Sequence, residues 1–262
     1  GLTTSPIPYR DRSFEITFDF NCNVLEIAAS DGGHRAIALQ PRTVAEFHAL
    51  VLAAMAELGI AVAITDFPCE IAGAIRFSQD RQHGAYDASY ARRFWRVLLQ
   101  VDRVFKQFRT GFIGKSSPVH FFWGSFDIAV TRFSGRSAPP HPGGAPGMSD
   151  AVMREAYSHE VSSAGFWPGG GGVDYAAFYS YAYPEPAGFR TAAVKPAGAV
   201  YNSAIGEFLL PYEAVRTADD PDRAVARFLQ TTYEAAAELG DWDRSALEDD
   251  PNRLQSLSMR RG

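Results

Sequence analysis

The stretch Val119 to Val130, VHFFWGSFDIAV, constrains the fold more than any other part of the chain. Apolar and polar side chains alternate on both sides of Gly124-Ser125, which predicts two strands folded back on each other through a two-residue loop. That register pairs Trp123 with Phe126, Phe122 with Asp127, Phe121 with Ile128 and His120 with Ala129. Val119, Phe121, Trp123, Phe126, Ile128 and Val130 then share one face, and His120, Phe122, Asp127, Ala129 and Thr131 share the other. An imidazole and a carboxylate on diagonal positions of one face are the minimal acid and base pair.

The rest of the chain supplies a setting for that ribbon. Ser13 to Phe20 alternates as a half-buried strand, Val24 to Ala28 and Arg35 to Leu39 follow across Ser30-Asp31-Gly32-Gly33, and Ile60 to Ile64 reads as a fourth strand. Thr43 with Glu46 three residues later predicts a capped helix ended by Gly59. A longer helix is expected from about Ser89 to Phe108, begun by Asp87 or Ser89, with Tyr90, Phe94, Val97, Leu98, Val101, Val104, Phe105 and Phe108 on one stripe. Tyr157 to Ser163, Tyr175 to Tyr183 and Glu207 to Leu210 read as further strands before a terminal helix opened by Asp219-Asp220-Pro221. Residues 134–149, rich in Pro and Gly, read as a flexible loop or lid. Strands that come in runs, not alternating with helices, predict an α+β fold, mainly antiparallel sheet with packed helices, in one domain over 1–262.

Bulk properties narrow the class of partner. A net charge of −5 with no basic block argues against nucleic acid, whose phosphates require clustered Lys and Arg. Apolar runs break within about a dozen residues, short of the roughly 20 needed to span a bilayer, so no membrane partner is expected. Cys22 and Cys69 are widely spaced, which fits a reducing cytoplasm. Aromatic residues make up 13% of the chain, enough to line a ligand pocket as well as fill a core, so a small-molecule ligand is the expected partner. Gly1 is no natural initiator, and an amino-terminal segment is expected to be missing.

Familiar catalytic signatures fail on inspection. Gly111 to Ser116 leaves a helix for a strand, the reverse of a phosphate-binding loop, and His159-Glu160 has Ser163 where a zinc protease needs its second His. Gly169 to Gly172 opens no dinucleotide-binding helix, and no nucleophile elbow or close Cys pair occurs. What remains is His120, Asp127, His159 and Glu160 as candidate catalytic residues, with His141 on the Pro/Gly loop, expected to be exposed. Phe122, Trp123, Trp167, Tyr179 and Tyr181 are candidate ligand-binding walls. Strand alternation places His159 and Glu160 on opposite faces, so only one of them can join His120. Cofactor, metal and oligomeric state stay unassigned. Two functions follow: a small-molecule enzyme using a His/carboxylate site, with or without a metal, and a non-catalytic binder of an aromatic or sugar-like ligand.

The motifs HFFWGSFD, APPHPGG, SHEVSSAGFWPG and FYSYAYPEP, with GLTTSPIPY at the start and FLLPYEAVR near the end, resemble a bacterial family catalogued only as a domain of unknown function. The resemblance covers nearly the whole chain and implies a single recurring unit with further sequence before Gly1. It supplies no chemistry.

Overall fold

The structure, a computed structural model, describes residues 1–68, 71, 73–144, 149–170 and 172–249. The fold is α+β with antiparallel sheets, as expected. Two compact units emerge, Gly1–Leu99 and Gln100–Gly262, and the division falls within one long helix. Among the described residues no helix is long and apolar enough to cross a membrane.

The first unit is a five-stranded sheet covered by a helix. Strands β1 (Leu2–Thr3) and β2 (Ile7–Tyr9) share one edge of β3 (Arg12–Asp19), followed by β4 (Val24–Ala29) and β5 (His34–Ala38). Phe14, Ile16 and Phe18 alternate along β3 and meet Leu25, Ile27 and Ile37 in one core with Phe47, Val51, Ala54, Met55 and Leu58 of α1 (Val44–Glu57). The α1 amino terminus is closed by the expected capping box, the Glu46 amide donating to Thr43 Oγ1 at 3.2 Å and the Thr43 amide donating to Glu46 Oε2 at 3.0 Å. Thr43→Ala leaves the first donor open, so urea denaturation is expected to show a loss of about 1 kcal/mol.

Ile60 to Ile64 does not form the expected strand. Ile60 is instead the last residue of a helix stop: Gly59 takes φ +68°, its amide donates to the Ala56 carbonyl, and the Ile60 amide donates to the Met55 carbonyl, both at 2.9 Å. This closure buries Ile60 beside Met55 and satisfies two terminal carbonyls, so its apolar side chain belongs to the helix end.

Helix α2 (Ala88–Thr110) links the units in sequence. The Asp87 carboxylate accepts from the amides of Ser89 and Tyr90 at its start. Leu98, Val101, Val104 and Phe105 of the expected stripe are buried, but Tyr90 is 65% exposed, its ring under the Arg93 guanidinium.

The second unit is built on a six-stranded antiparallel sheet. It comprises β6 (His120–Phe122), β7 (Asp127–Ser137), β8 (His159–Trp167), β9 (Ala177–Tyr183), β10 (Val200–Asn202) and β11 (Glu207–Pro211), in the order β10-β11-β9-β8-β7-β6. One face carries Ile128, Val130, Phe166 and Phe178 into a core with α5 (Pro221–Leu239), where Val225, Phe228, Leu229 and Tyr233 are buried. Arg132 is buried on this face too. Its guanidinium lies over the rings of Phe108 at 3.5 Å and Tyr233 at 4.3 Å and donates to the Phe108 carbonyl, so it satisfies the last turn of α2; burial lowers its pKa to about 10, and it stays charged.

Two expectations near the middle of this unit are corrected. Of the expected loop over 134–149, residues 134–137 continue β7 past an irregularity at Gly135, whose φ of +88° lets the strand bulge and go on pairing. Residues 138–144 have no regular structure, and 145–148 lie outside the described residues. Tyr157 does not begin a strand: Asp150–Ala156 forms a short helix, α3, capped by Ser149, with Tyr157 as its last cap. After Asp249 the chain lies outside the described residues.

Candidate functional site

The ribbon at Val119 to Val130 pairs as expected, His120 with Ala129, Phe121 with Ile128 and Phe122 with Asp127. The turn is wider than two residues. Trp123 and Phe126 leave the ladder, the Phe126 amide donates to the Phe122 carbonyl at 2.8 Å, and Phe126 takes φ +63°, a conformation uncommon for a bulky residue. The ring of Phe121 holds this turn, meeting Trp123 at 5.4 Å and Phe126 at 5.1 Å, both edge-on.

Because opposed residues in a ladder share a face, the register extends the face of His120 and Asp127 across the whole sheet. One row runs Ala129, Gly165, Tyr179, Leu209, and the next runs Thr131, Ser163, Tyr181. Glu207, two residues before Leu209, stands on the same face. Tyr179 lies across β8 and donates its hydroxyl proton to Asp127 Oδ2 on β7. Gly165 makes this crossing possible, since a Cβ there would lie 2.3 Å from the Tyr179 Cζ and hydroxyl oxygen.

A second set of hydroxyls adjoins the first. Tyr157 and Tyr181 share a hydrogen bond at 2.8 Å, and Thr131 and Ser163 share another at 2.9 Å. His141 is not the exposed residue expected: its ring stacks on Tyr157 at 4.9 Å and tilts against Tyr183 at 4.9 Å, while Nδ1 accepts from the Gly143 amide at 3.0 Å. Nδ1 therefore carries no proton, and any imidazole proton of the neutral ring is on Nε2.

The electrostatics of this face are set by burial. Burial pushes the Glu207 carboxyl up to about 7, and the negative charge of Asp127 adds to the shift. Burial, then the neighbouring Asp127 charge, holds the Tyr179 phenol well above its ordinary value, and burial does the same for Tyr181. Both tyrosines are thus neutral donors at any ordinary pH. Glu207 is the group poised to exchange a proton near neutrality.

The four candidate catalytic residues do not converge. His120 lies with its ring 4.3 Å from Phe122 and makes no hydrogen bond to Asp127. His159 is six residues along β8 from Gly165, which is in line with His120, so the two imidazoles are about 20 Å apart at ~3.3 Å per residue. Its Nδ1 meets Ser158 Oγ at 3.1 Å. Glu160 Oε2 accepts from Ser134 Oγ at 2.8 Å and from Arg136 at 2.7 Å, and Arg136 also donates to the carbonyls of Gly240 and Asp241. Glu160 therefore anchors the carboxyl end of α5, beside a hollow of about 140 Å³ that Trp242 and Tyr183 help to line.

Among the candidate walls, Tyr179 and Tyr181 stack at 6.3 Å and stand on the Asp127 face, and Trp167 packs with Tyr179 around Val173, Ala177 and Leu209. Phe122 is on that face and 48% exposed, whereas Trp123 belongs to the turn and packs on Phe121. Glu207 and Tyr157 were missed by sequence reasoning. Gly165, a glycine inside a strand, was the available signal for a close ring approach. Among the described residues no three His, Cys, Asp or Glu side chains gather in a way that could hold a metal ion.

A family model described as a family of unknown function (DUF5996) matches residues 1–249. No curated protein and no solved structure matches the chain.

Proposed function

We propose a small-molecule enzyme as the function of this chain, which belongs to the DUF5996 family, and place its acid–base chemistry on the sheet face that holds Asp127, Tyr179 and Glu207. One observation carries this reading. Two carboxyl groups stand on one aromatic face in unlike settings, Asp127 stabilised by a phenol donor and Glu207 desolvated to a pKa of about 7. A carboxyl group held near neutrality beside a second carboxylate is suited to giving and taking a proton at ordinary pH.

In this reading Glu207 delivers and removes the proton, Tyr179 keeps the Asp127 carboxylate in place, and the Tyr181 and Tyr157 hydroxyls orient the substrate. Of the residues singled out in the sequence, Asp127, Tyr179 and Tyr181 keep a place at the site; His120 stands at its edge. The exposed free thiol of Cys22 supports work in a bacterial cytoplasm.

The test is to incubate the protein with a bacterial small-molecule extract and follow it by mass spectrometry. The wild-type chain is expected to consume at least one compound, and Glu207→Gln to slow that consumption by about 100-fold or more while the fold is kept. Consumption that is equal in both proteins removes Glu207 from the chemistry. A compound that is retained unchanged favours the second reading, a binding protein that uses the stacked Tyr179 and Tyr181 rings as a platform.

A further inference from the structure

Glu207 has no counter-charge. It forms no hydrogen bond or ion pair with any described residue, and the one charge that acts on it, that of Asp127, has the same sign. On the same sheet face its charge acts on three tyrosines: Tyr179 and Tyr181 lie stacked within 13° of parallel, and the Tyr157 ring is 6.2 Å from that of Tyr181. The hydroxyl protons here are committed, that of Tyr179 to Asp127 and one within the Tyr157 and Tyr181 pair. The face is therefore rich in acceptors and negative ring surface.

An anion brought here meets an uncompensated carboxylate, and a neutral polyol leaves that charge unmatched. A cation satisfies both features at once, because ammonium and amidinium groups pair with carboxylates and are drawn to the faces of tyrosine rings. We propose that the molecule recognised on this face carries a positive charge, an ammonium or amidinium group set against Glu207 and the rings of Tyr179 and Tyr181. This rests on the reading of the face as the functional site and names the class of its ligand.

The test uses three probes of one shape and different charge, n-butylammonium, n-butanol and n-butyrate, on the full chain with ¹³C-labelled Glu and Tyr. The ammonium is expected to move the Tyr179 and Tyr181 resonances, to bind about tenfold or more tighter than the alcohol, and to lower the Glu207 titration midpoint by about one unit. Butyrate leaves all of these unmoved. Glu207→Gln removes the preference for the cation. If butanol binds as well as the ammonium, if butyrate binds best, or if no probe moves the tyrosines while Glu207 still titrates near 7, the cationic ligand is overturned and the acid–base site stands. If Glu207 titrates near its ordinary value of 4.5, both fail.

Discussion

Glu207→Gln is expected to make the chain more stable at pH 8, by up to about 3 kcal/mol. The wild-type carboxyl has a pKa of about 7 in the folded chain against 4.5 when unfolded. Between those values the folded chain keeps a proton that the unfolded chain has lost, so wild-type stability falls as pH rises from about 4.5 to about 7 and levels off above. A difference of that size corresponds to about 3 kcal/mol. Glutamine never ionises, so the variant has no such slope. Urea denaturation at half-unit steps from pH 4 to pH 8 reads the effect directly, and parallel curves for the two proteins would mean that Glu207 is not desolvated. A residue that costs stability at neutral pH and has no structural partner is what an acid–base role leads one to expect, since functional groups are held against the fold's own preference.

Gly165→Ala is expected to cost about 3 kcal/mol, a large effect for one methyl group on a strand. The new Cβ would lie 2.3 Å from the Tyr179 ring, closer than any real contact, and both residues are fixed in the ladder by their neighbours. The ring has to leave, and Asp127 then loses its phenol donor. The control is Tyr179→Ala, which opens the space. In that background Gly165→Ala is expected to cost less than about 1 kcal/mol, so the double-mutant cycle returns a coupling of about 2 kcal/mol. An equal cost in both backgrounds would show that the ring does not cross β8 at this glycine. Tyr179→Phe, which keeps the ring and removes only the hydroxyl, separates the hydrogen bond from the packing.

Much of the fold was legible because its signals are local. Alternation at Phe14, Ile16 and Phe18 depends only on the two-residue period of a strand, and Thr43 with Glu46 depends only on the spacing within one helical turn. The same holds for Asp220 and Pro221, which cap and open α5 as expected. Errors arose where a local pattern had two readings. An apolar residue after Gly59 fits a strand, yet Ile60 serves the closure of α1. Pro and Gly between Ser134 and Ser149 suggest a loop, yet Gly135 lets a strand bend and continue.

The candidate site was half legible. Asp127, Tyr179 and Tyr181 could be found because each lies on an alternating strand, and the hairpin register placed Asp127 on its face. Glu207 could not, since a single Glu before Phe208-Leu209-Leu210 looks like any strand end, and its raised pKa comes from desolvation next to Asp127 in the assembled sheet. His159 and Glu160 carried chemical promise in the sequence alone. Their positions along β8 separate them from His120, and Arg136 engages Glu160.

By itself, the sequence determined most of the strands and helices, which side chains share a strand face, and how the ribbon pairs from His120 to Phe122. These depend on bond geometry and short-range spacing, which any stretch of chain carries with it. Only the tertiary structure decided the order of the six strands, and so which faces meet: it brought Tyr179 over Gly165 to Asp127 and left Glu207 half-buried without a cation. Strand order joins residues far apart in the chain, and the desolvation that tunes a carboxyl is a property of that assembled surface, not of any segment within it.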